Sequence, residues 1–275
     1  MKHIVITIIV FLIVNPFVLL SQNVGQKGDS LLNYTDIQGK KQGKWSKKYE
    51  KGQVKYVAYF KNNVPIGNLT RYYETGEIQA VLKYNNKGYS RAKLYYRNGK
   101  VCAEGNYTID NKKDSIWNYY TYDGFLTYVE SFKNGLKDGV QKKYFINGKI
   151  AEELWWKNNK KHGLWKWYYG NGNVELETAF VDSIRNGAFN MFYENGAPQI
   201  IGHYINDVKN GIFYYYDADG KVKFKIEYIM GVATNEAELR RIETEEINSY
   251  EKEKGKYQEP EKEFEKMMFD RNKNE

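Results

Sequence analysis

The chain has 275 residues, with 26 Tyr, 13 Phe and 6 Trp but only 4 Pro and one Cys. Such a length allows one or two domains, and the lone Cys102 excludes both an intrachain disulfide framework and a multi-cysteine metal site. The net charge of +8 divides into a basic body, residues 23–234 at +11, and an acidic tail, residues 235–275 at −4. Mixed signs along the body point to solubility as much as to an anionic partner.

Residues 1–22 read as a signal peptide. Lys2 is the positive flank, Ile4–Val14 is an apolar run of 11 residues, and Ser21 is a small residue at a cleavage position. The run is too short for a typical membrane span, so export is expected. The alternative is an uncleaved anchor. Residues 23–42 form an N-terminal lead-in.

From residue 43 the sequence repeats itself. The pattern Gly-x-Trp-x-x-Tyr-Tyr-x-x-Gly starts at Gly43, Gly67, Ser90, Ser115, Gly139, Gly163, Gly187 and Gly211, which begin units one to eight. The period is close to 24 residues. Nine residues into every unit stands a Gly, and seventeen residues in stands an aromatic, from Phe60 and Tyr84 to Tyr204 and Tyr228. A fixed period of this length is the mark of a repeat array.

Each unit reads as one β-hairpin. A short aromatic arm such as Leu164–Tyr169 precedes a turn, carrying Asn-Gly in four units and Asp-Gly in two. Glycine there supplies the positive φ that such turns need. A return arm such as Asn173–Phe180 and a polar link, Val181–Asn186, lead to the next unit. The expected fold is all-β: an elongated antiparallel meander of about eight hairpins over residues 43–234. Sixteen strands at about 4.8 Å give a sheet roughly 75 Å long before twist. One hairpin is marginal alone, so stability is a sum over neighbours.

Strand alternation separates two sets of aromatic residues. Offset two, counted from each unit's first residue, includes Trp45, Trp117, Trp165 and Phe213. Offset six is mostly Tyr, from Tyr49 to Tyr193. These read as the packed face. Offset five falls on the opposite face and comprises Tyr72, Tyr95, Tyr120, Tyr144, Tyr168, Phe192 and Tyr216. Its neighbours at offset three include Lys93, Lys142 and Lys166, costly to bury unpaired. This aromatic row with flanking lysines is the candidate interaction surface.

The acidic tail, residues 235–275, breaks the pattern. Asn235 and Glu238 make an N-cap and N3 pair, and Leu239, Ile242 and Tyr250 form a weak helical stripe. The expectation is a helix capping the last sheet edge or a disordered tail, with a second short helix over Glu261–Asp270.

Catalytic chemistry has little to work with. Three His are scattered: His3 in the leader, His162 in a link and His203 in a return arm. No nucleophile elbow, phosphate loop or zinc-binding helix motif occurs. Asp217-Ala218-Asp219-Gly220 has the start of a calcium loop but lacks its remaining ligand positions and occupies a hairpin turn. An enzyme, a cofactor and a metal are therefore not expected, and export argues against nucleic acid.

Gly163-Leu164-Trp165-Lys166-Trp167-Tyr168-Tyr169-Gly170-Asn171-Gly172 is the cleanest copy of a motif that resembles the bacterial MORN repeat variant. The resemblance covers residues 43–231. It implies a hairpin-repeat sheet used for protein or membrane association. Ser90, Ser115, Thr121, Asp217 and Lys48 depart from the pattern and weaken single units. Some family members carry an antitoxin label, a cytosolic role that an exported chain fits poorly. The functional expectation is a non-enzymatic scaffold docking a protein or an envelope component. The alternatives are a carbohydrate or cell-wall binding module, and a phospholipid-headgroup or anionic membrane surface binder.

Overall fold

A computed structural model describes residues 32–253. The leader and the helix expected over residues 261–270 lie outside the described residues. The fold is the expected antiparallel meander: 19 strands in one open sheet, paired in chain order except that Val208–Lys209 and Gly211–Tyr216 both pair with Pro198–Ile205. Sixteen are the arms of the eight hairpins. The other three are two-residue strands, Tyr34–Thr35, Val208–Lys209 and Val232–Ala233. The first and last of these blunt the two edges of the sheet, where a long unpaired strand would invite aggregation.

Two kinds of turn alternate. Within a unit the turn is a three-residue loop. Gly172 N donates to the Tyr169 carbonyl at 2.8 Å, Tyr169 N donates to the Asn173 carbonyl at 2.8 Å, and Gly172 sits at φ +101°. This is the turn with a left-handed glycine that the Asn-Gly signature indicates.

The polar links differ from their sequence reading. Five of the seven are two-residue turns with both residues at positive φ, as in Asn158-Asn159 and Asp182-Ser183, while the links between Asn85 and Tyr89 and between Thr108 and Lys112 are three-residue loops. The strands run straight into them, so the arm of unit seven begins at Ile184 rather than after Asn186. Such paired left-handed residues match the right-handed twist of the flanking strands.

The first residue of each unit has a backbone role. Gly139, Gly163 and Gly187 stand at φ +110°, +90° and +129° beside a register shift in the pairing with the preceding strand. Each marks a bulge where a side chain would be strained. Ser115 keeps the positive φ, at +59°, whereas Ser90 escapes it because its strand pairs with Ile78–Tyr84 without a shift.

Three hydrogen-bond ladders tie the units together. The offset-six tyrosines reach forward: Tyr49, Tyr73, Tyr96, Tyr169 and Tyr193 each donate to the backbone carbonyl at offset five of the next unit, at 2.6–2.8 Å. At the turn end, Asn98, Asn171 and Asn195 donate to carbonyls of the following turn. At the link end, Asn159, Ser183 and Asp207 accept from the backbone N–H of Lys137, Lys161 and Arg185.

The packed face is the expected one. Trp117 and Phe213 are fully buried. Large rings at offset two lie over small residues on the strand before. A Cβ on Gly105 would overlap the Trp117 indole, and one on Gly202 would overlap the Phe213 ring. Offsets two and seventeen form edge-to-face pairs, Trp45 with Phe60 and Phe213 with Tyr228. In six units a cation two residues before the unit start lids these rings: Lys41, Lys113, Lys137, Lys161, Arg185 and Lys209. Their charges sit 4.3–5.0 Å from a ring centroid in these contacts, within cation–π range. A long aliphatic stem below the charge lets such a side chain cover apolar surface as well.

The tail forms the helix Glu236–Glu253. Asn235 caps it, its Oδ1 accepting from Glu238 N at 3.3 Å. Leu239 and Ile242 rest on the packed face of the last units, against a cluster of Tyr204, Phe213, Tyr215, Ile226 and Tyr228. The helix therefore covers the face rather than capping the edge alone. Cys102 is a half-buried residue of the strand Val101–Tyr107.

Candidate functional site

All seven rings of the candidate row share one face, opposite the offset-two rings. Each is half-buried, and each stands across from an apolar or aliphatic partner on its return strand. Tyr144 pairs with Ile150, Tyr168 with Val174 and Phe192 with Pro198. The row thus forms a continuous ledge of ring beside aliphatic group, crossing units two to eight.

The three lysines lie on the same face, one position inward. They are not free cations. Lys93 meets Glu104 at 3.8 Å, Lys142 meets Glu153 at 3.6 Å and Lys166 meets Glu177 at 2.6 Å. The ladder register extends this into a row: Lys142, Glu153, Lys166 and Glu177 face one another across four successive strands. Signs alternate, so the row is neutral. The Glu177 hydrogen bond holds the Lys166 ammonium above its ordinary pKa, against a smaller opposing effect of burial. Burial, then the Glu153 charge, raises the Tyr168 phenol. Burial and a 2.9 Å hydrogen bond to Glu104 do the same for Tyr120. Tyr120 and Tyr168 are therefore held in their neutral form at physiological pH.

On the far side of the charge row lies a second apolar strip. Val140 pairs with Trp155, and Leu164 pairs with Ala179. Trp155 is 46 % exposed and Leu164 45 %. Sequence reading missed this strip. Its signal was an apolar residue directly after the unit glycine, at Val140, Leu164 and Ile212, and the Trp155-Trp156 doublet.

Sequence reading put Gln141 on the packed face but missed the buried carboxylates beside it. There Glu130, Gln141 and Glu152 are 8 %, 6 % and 8 % exposed. Glu130 accepts from Tyr119 at 3.0 Å and from Tyr128 at 3.1 Å, and pairs with Lys137 at 2.8 Å. Glu152 accepts from the Trp165 indole at 2.7 Å and pairs with Lys143 at 2.6 Å. Burial, followed by the Glu130 charge, raises both phenols well above their usual value. Every carboxylate here is satisfied within the chain, which makes the cluster a packing element.

Among the described residues, the histidines do not converge with other groups that could serve catalysis. His162, in the strand Lys160–Tyr168, faces Asp182 at 3.6 Å, and His203 stands exposed on a different strand. The Asp217–Lys221 turn closes on itself, Asp217 Oδ1 accepting from the backbone of Asp219 and Lys221. Among the described residues, no group of three or more His, Cys, Asp or Glu is placed to hold a metal ion.

The MORN repeat variant model matches residues 41–62, 65–86, 91–108, 137–158, 161–182, 185–206 and 209–230, together more than half of the chain. The stretch it omits, around Ser115, folds as the same hairpin. No curated protein matches. Among solved structures, a chain of the Photorhabdus luminescens Tc holotoxin pore, in a mutant form, aligns with 74 % of this chain and 14 % of its own length. The identity is 12 % and the TM-score 0.21, too low to carry a structural argument.

Proposed function

Because the chain belongs to the MORN repeat variant family, whose repeats are generally protein- or membrane-binding scaffolds, we propose that it is an exported, non-enzymatic scaffold that docks a protein on its aromatic row. The observation that carries this reading is the row itself. Seven half-exposed rings, six of them Tyr, stand on one continuous face with no covering layer among the described residues. Tyrosine on a rigid strand offers large contact area at low entropic cost. The residues 1–22 support export.

The internal pairing of Lys93, Lys142 and Lys166 favours a protein over a lipid headgroup, since cations already neutralised gain little from an anionic surface. The continuity of the row over several units favours a protein over a glycan, which needs one flat ring with polar neighbours.

The test is capture from an envelope fraction with the full chain. Tyr144→Ser with Tyr168→Ser is expected to abolish capture while lowering the melting temperature little. Phe145→Ser with Tyr169→Ser, on the packed face, is expected to lower the melting temperature more and capture less. Capture unchanged by the first pair refutes docking on this face. Equal unfolding by both pairs would mean that the aromatic row is core.

A further inference from the structure

The neutral charge row has a symmetry that the docking reading does not require. Read along the sheet, it runs Lys142, Glu153, Lys166, Glu177, one residue per strand. Read in reverse, every sign is exchanged. Consider a second copy laid face to face, related by a two-fold axis parallel to the strands and passing between Glu153 and Lys166. Lys142 then meets Glu177 of the copy, and Glu153 meets Lys166. The reciprocal contacts arise by symmetry, as in any isologous interface.

The same axis also matches the flanking rows. It preserves position along the strand, so each row faces itself. In the exposed strip Trp155 meets Leu164 of the copy, and Val140 meets Ala179. In the aromatic row Tyr168 meets Ile150 and Tyr144 meets Val174. Large side chains oppose smaller ones at every step. The other in-plane axis, along the charge row, would place Lys over Lys and the aromatic row over the apolar strip. Only one of the two arrangements is complementary in both charge and size.

We infer that this face, centred on units five and six, closes on a second copy of the chain. The result is a two-layer β-sandwich with the strand directions roughly aligned and the sheets about 10 Å apart. Eight strands at about 4.8 Å and about six residues at about 3.4 Å cover roughly 40 by 20 Å. That is on the order of 800 Å² per partner, the size of a standard stable interface. The inference rests on the proposal that the aromatic face docks a protein, and names that protein.

Sedimentation of the full chain tests it. The wild type is expected to be a dimer. Trp155→Glu is expected to raise the dissociation constant roughly 30-fold or more, the effect of losing an interface anchor, with the melting temperature of the monomer unchanged. The decisive variant exchanges the whole row: Lys142→Glu, Glu153→Lys, Lys166→Glu and Glu177→Lys together. Alternation within the sheet is kept, so the chain still folds and pairs with itself. Against the wild type it sets like charges opposite each other, so mixed dimers are expected to be depleted far below statistical mixing. A monomeric wild type, or mixed dimers formed freely, overturns the inference. If the wild type is monomeric while the Tyr144→Ser and Tyr168→Ser pair still loses capture of another protein, the docking reading stands and only self-pairing fails.

Discussion

Units four to six and units seven and eight share one backbone plan and fill the same row in opposite ways. At the C-terminal end the row holds Phe213 and Ile226, and the helix adds Ile242 and Leu239 on top. In the centre the row holds Glu130 and Gln141, with Glu152 beside them and, among the described residues, no helix above. The tyrosine ladder differs too. It is intact from Tyr193 to the Tyr216 carbonyl, but Thr121 and Phe145 stand at its central positions and lack the phenol that would reach forward. Where the ladder is missing, the carboxylates link the strands instead: Glu130 bonds side chains from three strands, Tyr119, Tyr128 and Lys137. A repeat array asks only that each unit bind its neighbours, and either apolar burial or a fully satisfied polar network can do so.

The largest expected effects separate these chemistries. Phe213→Ala removes a fully buried ring over Gly202, which has no side chain to fill the space, and should cost about 3–5 kcal/mol. Glu130→Ala strands two phenols and Lys137 in a buried setting and should cost a similar amount, about 3–5 kcal/mol. The rescues differ. Glu130→Leu combined with Tyr119→Phe and Tyr128→Phe should recover part of the central loss, because both phenols leave with the carboxylate and only Lys137 keeps a lost partner. Measured by denaturant unfolding of the full chain, a triple variant no better than Glu130→Ala would show that the carboxylate has a role beyond pairing.

A smaller effect should appear in alkali and be largest in the centre. Tyr119 and Tyr128 have phenols raised above the ordinary value of 10.0, first by burial and then by the Glu130 charge. A raised folded-state value means that the folded protein holds these protons after the unfolded chain has released them. Their contribution is therefore whole below pH 10 and lost as pH rises above it. The wild type should lose stability above pH 10, and Tyr119→Phe with Tyr128→Phe should flatten that limb. An unchanged alkaline limb in the double variant would locate the titration elsewhere. Both phenols are partly exposed, so the effect should be modest.

The sequence made the hairpins, their period and the two aromatic faces legible, because these arise from local rules: alternation, turn glycines and a fixed spacing. Asn235 with Glu238 likewise marked the helix start through a contact three residues apart. What stayed hidden depends on pairing between strands. That Lys166 meets Glu177 requires the register of two arms. Lys161 lids Trp165 only because the intervening residues bulge at Gly163, and no alternation rule anticipates it. Glu130 and Glu152 looked like solvated charges since nothing local to them signals burial. Apart from Tyr128, their partners lie up to 13 residues away on other strands.

The smallest expected effect would erase part of the contrast between the two regions. In the repeats with an intact ladder, the offset-six phenol donates to the carbonyl at offset five of the next unit, as Tyr169 does to Phe192 at 2.8 Å. Phe145 has the ring but no hydroxyl, and the carbonyl it would address belongs to Tyr168. The turn around it is the same three-residue loop, with Phe145 N donating to the Lys149 carbonyl at 2.8 Å and Gly148 at φ +81°. Phe145→Tyr should therefore set a hydroxyl against a waiting acceptor without moving the backbone. One added neutral hydrogen bond should stabilise by about 0.5–1.5 kcal/mol. The mirror change, Tyr169→Phe, should cost about as much. Thermal unfolding of both variants checks the pair. If Phe145→Tyr leaves the midpoint unchanged or lowers it while Tyr169→Phe also lowers it, the ladder contributes in its own units but cannot be completed across the centre, and units four to six are held by their carboxylates alone.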